Sequence, residues 1–172
     1  MKRIISLVAL GIACTVGTAA AENGKIGFVD VQKILNLSEA GKDAKEQLSS
    51  KVKKYQEDIN SKQEELKKLN DELQKQKVLL SEAAWGEKEK IYQQKLKDYQ
   101  RFVKDAEDDL RGKDEEYTKR ILEEIEKVVQ EYGRKNGYSL VFERNAGMIY
   151  ADDKSDLSEA VLKVFNENRK KK

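Results

Sequence analysis

Apolar residues recur every three or four positions from about residue 38 to residue 136, and this stretch contains no proline. Such spacing is typical of long amphipathic helices. In the first half of the stretch, five apolar residues lie seven positions apart and three more fall between them: Val52, Ile59, Leu66, Leu73 and Leu80, with Leu48, Tyr55 and Leu69. The pattern predicts the a/d seam of a coiled coil.

A second seam follows along the chain. It consists of Leu96, Val103, Leu110 and Tyr117 seven apart, with Tyr92, Tyr99 and Ala106 between them. The two seams are out of phase, and a serine that favours a helix start and a glycine that weakens a helix lie between them. We therefore expect the chain to reverse near residues 81–86, so that residues 38–136 form an antiparallel helical arm.

The predicted seam has regular defects. Lys62, Gln76 and Lys113 occupy core positions, where polar side chains cost stability. Gly112 weakens the second helix by about 1 kcal/mol relative to alanine. After Tyr117 the spacing changes to fours, which locally unwinds a heptad supercoil and marks the entry of the arm into the rest of the protein: Ile121, Ile125, Val128 and Tyr132. The sequence thus predicts an arm that is able to splay or bend.

Short strand-like segments flank this arm. Residues 25–31 and 138–143 are rich in β-branched and aromatic side chains, and residues 148–150 follow a turn as a third candidate strand. An amphipathic helix is predicted from Leu157 to Glu167, with Asp156 and Glu159 spaced as a capping box. The expected fold is α+β, with the arm inserted into a small body made of residues 22–37 and 137–172.

A body of this size is marginal on its own and commonly depends on association. We therefore expect the body to form an oligomer. The candidate residues for this oligomerisation body are the apolar ones of the predicted strands: Ile26, Phe28, Leu140, Phe142 and Ile149.

The N-terminal segment has the pattern of a secretory signal peptide. Lys2 and Arg3 precede a short apolar run, and small residues end at Ala21, after which cleavage is expected. The alternative is lipidation at Cys14, although Gly11 occupies the position where a lipoprotein site usually has a branched apolar residue. After cleavage at Ala21 the chain would contain no cysteine and 32 basic against 32 acidic residues.

The composition argues against catalysis. The chain has no histidine, its one cysteine is Cys14, and it has no glycine-rich phosphate-binding loop. Residues 152–156 lack the glycine and the terminal glutamate of a calcium loop. We therefore expect no enzyme, no metal and no cofactor, and the balanced charge predicts no binding of nucleic acid.

Charge is unevenly distributed along the arm. Residues 75–104 around the reversal contain eight basic and four acidic residues, whereas residues 105–116 contain seven acidic and two basic ones. Five apolar residues of this region are candidates for contact with a partner, the alternative being that they pack within the arm: Leu79, Trp85, Tyr92, Tyr99 and Phe102.

In its combination of parts, the chain resembles the OmpH/Skp periplasmic chaperones of Gram-negative bacteria. The matching segments are the signal peptide, residues 25–30, the charged helical pair, residues 138–147 and residues 156–162. The resemblance implies a homotrimer whose arms surround a cavity, and an ATP-independent chaperone in the periplasm that binds unfolded outer-membrane β-barrel proteins. Because the mature chain is neutral, binding of membrane or lipopolysaccharide is not expected. The alternative function is a structural or adaptor coiled coil of the cell envelope.

Overall fold

The computed structural model describes residues 24–170. The predicted signal peptide, its cleavage after Ala21 and the alternative at Cys14 lie outside these residues. The elements, in chain order, are strand β1 (Lys25–Val29), helix α1 (Val31–Leu37), helix α2 (Glu39–Gln76), helix α3 (Glu82–Asn136), strand β2 (Tyr138–Glu143), a 3-10 turn (Asp153–Ser155) and helix α4 (Ser158–Lys170).

Two polar side chains set the start of the helical part. The Asp30 carboxylate accepts a hydrogen bond from the Lys33 amide at 2.7 Å and begins α1, a helix that the sequence pattern did not predict. The Ser38 hydroxyl accepts one from the Gly41 amide at 3.1 Å and begins α2. Side-chain acceptors at these positions satisfy amide groups that have no partner inside the helix.

The reversal between the long helices occupies residues 77–81, because α2 ends at Gln76 and α3 begins at Glu82. The Ser81 hydroxyl accepts a hydrogen bond from the Ala84 amide at 3.4 Å, as a helix N-cap does. Gly86 lies inside α3 and is not a breaking point. The predicted reversal at 81–86 is therefore placed slightly too late, since one glycine five residues into a helix is tolerated.

The two long helices lie side by side, and side chains join them along their length. The Lys51 ammonium contacts the Asp109 carboxylate at 2.7 Å, and the Lys95 ammonium contacts the Glu65 carboxylate at 2.6 Å. As the residue number rises along α2, that of its partner falls along α3. Three of the predicted seam residues are buried: Leu66, Leu73 and Ala106. In contrast, Val52 is 46% exposed, so the seam is not continuous.

The strands pair as predicted and form a two-stranded parallel sheet. Ile26 lies opposite Leu140, and Phe28 lies opposite Phe142. Parallel strands need a long crossover connection, and here the whole helical part between β1 and β2 supplies it. The predicted third strand at residues 148–150 is wrong, because within the described chain these residues pair with no strand. β propensity reports fit to a pleated, half-buried surface and depends on context, and Ile149 and Tyr150 are almost completely exposed.

The core lies where the base of the arm meets the sheet. Side chains from β1, α1, α2, α3 and α4 are buried together there: Val29, Ile34, Ala40, Ile121, Ile125, Val128, Leu157, Val161 and Phe165. The run of fours after Tyr117 therefore enters the body as predicted, with Tyr132 packed against the same core. This position follows from the spacing, which moves the apolar stripe of α3 away from the coiled-coil seam.

The last helix begins at Ser158 and extends to Lys170, close to the predicted range. The predicted capping box does not form. The Asp156 carboxylate accepts hydrogen bonds from the amide and the hydroxyl of Ser158, and the Glu159 carboxylate contacts the Lys33 ammonium at 3.2 Å. The Asp30 amide in turn donates to the Ser158 hydroxyl at 2.8 Å. This buried serine therefore joins the two ends of the chain.

Candidate functional surfaces

The far end of the arm carries an exposed apolar pair. Val78 and Leu79 lie in the turn between α2 and α3, with 89% and 80% of their surface exposed. Leu79 is one of the residues predicted to contact a partner, whereas Val78 was not singled out from the sequence. We call Val78 and Leu79 the arm tip. Two adjacent, mostly exposed apolar side chains at an extremity are available for contact with another molecule.

Trp85 is held within the arm. Its ring is half-buried, its indole N–H donates to the carbonyl oxygen of Leu73 at 3.4 Å, and the Lys77 ammonium lies 5.7 Å from the ring centroid. Tyr92, two turns further along α3, is also half-buried. Both residues therefore remain partly accessible in the half of α3 nearer the arm tip.

Phe102 packs across the arm. Its ring centroid lies 6.0 Å from that of Tyr55 in an edge-on arrangement, and the Lys62 ammonium lies 4.9 Å from its centroid. Tyr99 is half-buried in a shallow groove with Leu66 and Lys95. Of the five predicted contact residues, only Leu79 is fully accessible. The other four combine packing within the arm with a partly exposed edge, and spacing alone does not distinguish these situations.

A polar cluster joins the helices in the half of the arm nearer the body. One oxygen of the Asp109 carboxylate accepts hydrogen bonds from the Lys51 ammonium at 2.7 Å and from the Tyr55 hydroxyl at 2.9 Å. The hydrogen bond from Lys51 is the larger cause, and that from Tyr55 the next, of a pKa of Asp109 that lies below its usual range. The same contact raises the pKa of both Lys51 and Tyr55. At neutral pH the Asp109 carboxylate and the Lys51 ammonium are therefore charged, and the neutral Tyr55 hydroxyl donates its hydrogen bond.

The polar residues at the predicted core positions have partners as well. Lys62 lies over the ring of Phe102, and the side-chain oxygen of Gln76 accepts a hydrogen bond from the Lys88 ammonium at 2.6 Å. Lys113 contacts the Glu116 carboxylate at 2.6 Å, which raises the pKa of Lys113 and lowers that of Glu116. None of these residues is fully buried, so water also solvates their polar groups.

The second exposed apolar surface belongs to the sheet. One face packs on the core through Val29 and Val141, and the opposite face exposes Ile26 (58%), Leu140 (52%) and Phe142 (48%). These three were predicted for the oligomerisation body. Phe28 was predicted with them and lies in the same row, but it is already buried within one chain, with the Arg144 guanidinium 5.7 Å from its ring centroid.

The loop after β2 extends this surface. Ile149, also predicted, and Tyr150, which the sequence analysis did not single out, are almost completely exposed. Tyr150 and Met148 line a groove of about 440 Å³ together with Phe28 and Phe142, which places the loop next to the exposed face of the sheet. We call this surface the body face and define it as Ile26, Leu140, Phe142, Ile149 and Tyr150.

The described residues offer little for other kinds of site. Residues 24–170 contain no group of three His, Cys, Asp or Glu side chains placed to hold a metal ion. In the same part of the chain, no helix is long and apolar enough to cross a membrane.

Comparison with known proteins agrees with this geometry. The sequence model of a family described as outer membrane protein (OmpH-like) matches residues 25–165. No curated protein matches the sequence. Among solved structures, one described as an OmpH-like outer membrane chaperone from Caulobacter crescentus CB15 is similar, with a TM-score of 0.78 and 16% sequence identity. The alignment covers 83% of this chain and 84% of that one. At 16% identity, this similarity shows a shared fold.

Proposed function

Because the chain belongs to the OmpH-like family of outer membrane proteins, we propose that it is an ATP-independent chaperone of the periplasm. In this role it binds unfolded outer-membrane β-barrel proteins, prevents their aggregation and aids their delivery to the outer membrane. One observation carries the proposal: a long two-helix arm extends from a small body and has an exposed apolar pair, Val78 and Leu79, at its far end.

The physical properties of such clients suit this architecture. An unfolded β-barrel protein exposes alternating apolar residues and unpaired strand edges, and it aggregates readily. Several weak apolar contacts on arms around one client raise its effective local concentration without recognising one sequence. The accessible edges of Trp85, Tyr92, Tyr99 and Phe102 and the fully accessible Leu79 would supply these contacts. No bond is made or broken in this process, so it requires no catalytic residue.

Three arms would come from a homotrimer assembled through the body face. Ile26, Leu140 and Phe142 expose about half of their surface to solvent in one chain, and covering them would add an apolar contact to a small core. The free outer edge of β2 supports the same proposal, because β2 pairs only with β1 among the described residues and an open strand edge favours pairing with another chain.

A dilution assay tests the chaperone proposal. An outer-membrane barrel protein is diluted from urea, and light scattering is followed with stoichiometric amounts of the mature protein and without ATP. We expect scattering to be suppressed, and we expect V78S/L79S to suppress it less. Leu122→Ser, which alters a partly exposed leucine near the base of the arm, serves as the matched control and should retain suppression. Unchanged scattering with the wild-type protein would contradict the proposal.

Sedimentation tests the assembly separately. We expect the wild-type protein to sediment as a trimer, and we expect Leu140→Asp to dissociate it because the substitution places a charge in the centre of the body face. Leu79→Asp introduces the same charge at the arm tip and should leave the trimer intact. Circular dichroism of both variants checks that the helices remain. A wild-type monomer, or a trimer that tolerates Leu140→Asp, would exclude this interface.

The structural or adaptor function remains the alternative, and the mature N-terminus distinguishes the two. Mass spectrometry of the protein from the cell envelope should find a start at Glu22 if the chaperone proposal is correct. A lipid on Cys14, together with a stoichiometric complex with one folded partner, would instead support the adaptor.

A further inference from the structure

The apolar packing between α2 and α3 has a gap near the base of the arm. In α2 no residue between Gly41 and Leu66 is buried, and in α3 none between Ala106 and Ile121 is buried. The pairs Lys51–Asp109 and Glu65–Lys95 fix which residues face each other, and the two unburied stretches overlap at about residues 42–53 of α2 and 107–120 of α3. Buried side chains lie on either side of this overlap, in the body and at Ala106. We call residues 42–53 together with residues 107–120 the gap segment.

A groove lies at the body end of this gap segment. It has a volume of about 270 Å³ and is lined by Leu35 of α1, by Ala44 and Leu48 of α2 and by Tyr117 of α3. Where the groove separates the helices, they lack the dispersion contacts that close packing would give. Apolar packing alone therefore holds the two helices together weakly here.

The cluster of Lys51, Tyr55 and Asp109 joins the two helices at the outer end of this segment. It brings a lysine and a tyrosine of α2 onto one carboxylate oxygen of α3, and the Tyr55 ring continues the contact outward to Phe102. By comparison, the ion pair of Glu65 with Lys95 lies beside the buried Leu66. The helices at that second pair have apolar contacts to hold them, whereas those at Asp109 depend more on polar ones.

We propose that Lys51, Tyr55 and Asp109 form a polar latch that holds the gap segment closed, so that opening of the latch lets α2 and α3 separate there while the arm beyond Leu66 stays paired. The latch thus sets how far the arm opens. The proposal concerns the arm itself and stands whether or not the protein is a chaperone.

Spin labels test the latch directly, because the chain after Ala21 contains no cysteine. Labels on K53C/E107C report the distance between the helices at the latch, and labels on K68C/Q93C report it near Leu66; all four positions are exposed. Mixing with excess unlabelled protein leaves one labelled chain in each assembly. We expect Asp109→Asn to broaden the 53–107 distance distribution and shift it to longer distances, and to leave the 68–93 distribution unchanged.

Glu65→Gln is the matched control, since it removes the charge from the other pair that joins the helices at a similar distance. It should leave the 68–93 distribution narrow. If Asp109→Asn leaves the 53–107 distribution unchanged, or if Glu65→Gln broadens the 68–93 distribution equally, the latch is excluded. Tyr55→Phe, which removes one hydrogen bond and keeps the ring, is the second variant and should give a smaller shift in the same direction.

The dependence of the label distances on salt tests the latch independently, in a protein whose latch residues are unchanged. At about 1 M salt the screening length falls to about 3 Å, and exposed charge pairs weaken. The 53–107 distribution should broaden under these conditions, while the 68–93 distribution stays narrow. The triple variant K51M/Y55F/D109L replaces the polar contacts by apolar ones and should make the 53–107 distribution insensitive to salt. Equal sensitivity of both label pairs in the wild-type protein would overturn the proposal.

Discussion

At the scale of single residues, the polar side chains in the arm have a different role from the one expected. The sequence predicts Lys62, Gln76 and Lys113 as defects that weaken the seam. In the folded protein each has a partner, either an aromatic ring, an ammonium group or a carboxylate. Because the three side chains are partly solvated, they do not carry the cost of an unpaired buried charge. What the protein loses at each of these positions is the apolar contact that a leucine would make.

Ile125 is the residue for which we expect the largest loss on truncation. It is completely buried where α3 passes through the core. Ile125→Ala should lower the free energy of unfolding by about 2–5 kcal/mol, through lost apolar burial and a cavity. Leu122→Ala on the same turn removes a partly exposed side chain and should cost less. Urea unfolding of both variants at equal protein concentration measures the two losses of unfolding free energy. Similar midpoints for the two variants would contradict the placement of Ile125 in the core.

At the scale of the elements, two glycines inside α3 allow a clean comparison. Neither Gly86 nor Gly112 has an atom within 4 Å of the position that a Cβ would take. Alanine at either position should therefore fit and raise the free energy of unfolding by about 0.5–1 kcal/mol, since glycine is a poor helix former. Thermal unfolding measures both variants. A loss of stability at Gly112 would mean that the glycine is needed for close packing.

The latch gives the arm a defined pH window. The lowered pKa of Asp109 means that its contribution is present above the usual carboxyl range, about pH 4, and is lost as pH falls through the lowered value. The raised pKa values of Lys51 and Tyr55 mean that their contribution is present below about pH 10 and is lost as pH rises through the raised values. The other charged and titratable groups that act on the cluster are Asp58, Lys113 and Tyr117.

We therefore expect the 53–107 label distance to stay constant from about pH 5 to pH 9 and to lengthen outside this range. In Asp109→Asn the lengthening at acid pH should disappear, because the titrating carboxylate is absent. A wild-type distance that already changes between pH 5 and pH 9 would show that another group controls this segment.

At the scale of the whole molecule, the absence of histidine predicts an activity that is insensitive to pH near neutrality. Histidine is the one side chain whose ordinary pKa lies between pH 5 and pH 8, and this chain has none. The pKa shifts found in the described residues all lead away from that range. The pKa is lowered for four carboxyl groups, those of Glu65, Asp109, Glu116 and Asp156. It is raised for Lys51, Tyr55 and Lys113.

Suppression of client aggregation should therefore be the same at about pH 6 and pH 8. The dilution assay measures this with one client at both pH values, and scattering of the client alone corrects for its own pH dependence. A large loss of suppression at either pH would indicate that the client, or a group outside residues 24–170, supplies the titrating side chain.

The division of the molecule into long helices and short elements explains which parts of the fold were predictable. Long helices repeat one contact every few residues, so Leu66, Leu73 and the run from Ile121 to Val128 were visible in spacing alone. The short helix α1 was missed because seven residues give too few repeats for a period, and its start depends on one hydrogen bond from Lys33 to Asp30. The third strand was predicted wrongly because residues 148–150 carry β-prone side chains, whereas a strand also depends on burial, and Ile149 and Tyr150 are almost completely exposed.

The candidate surfaces were only partly predictable for a related reason. A spacing argument assigns a residue to a face, and it does not say whether anything covers that face. Leu79 and Phe102 looked alike in the sequence, yet one is free at the arm tip and the other is packed against Tyr55. Asp109 was not recognised at all, because it lies in a run of acidic residues and only its contact with two side chains of α2 distinguishes it.

The sequence by itself determined that this protein has a long helical arm inserted into a small β-containing body, because helical period, strand propensity and capping are local properties of the chain. The tertiary structure decided the parallel order of the strands, the gap in the seam with its polar cluster, and the side of the sheet that stays exposed. Each of these depends on contacts between residues far apart in sequence, whose distances only the folded chain sets.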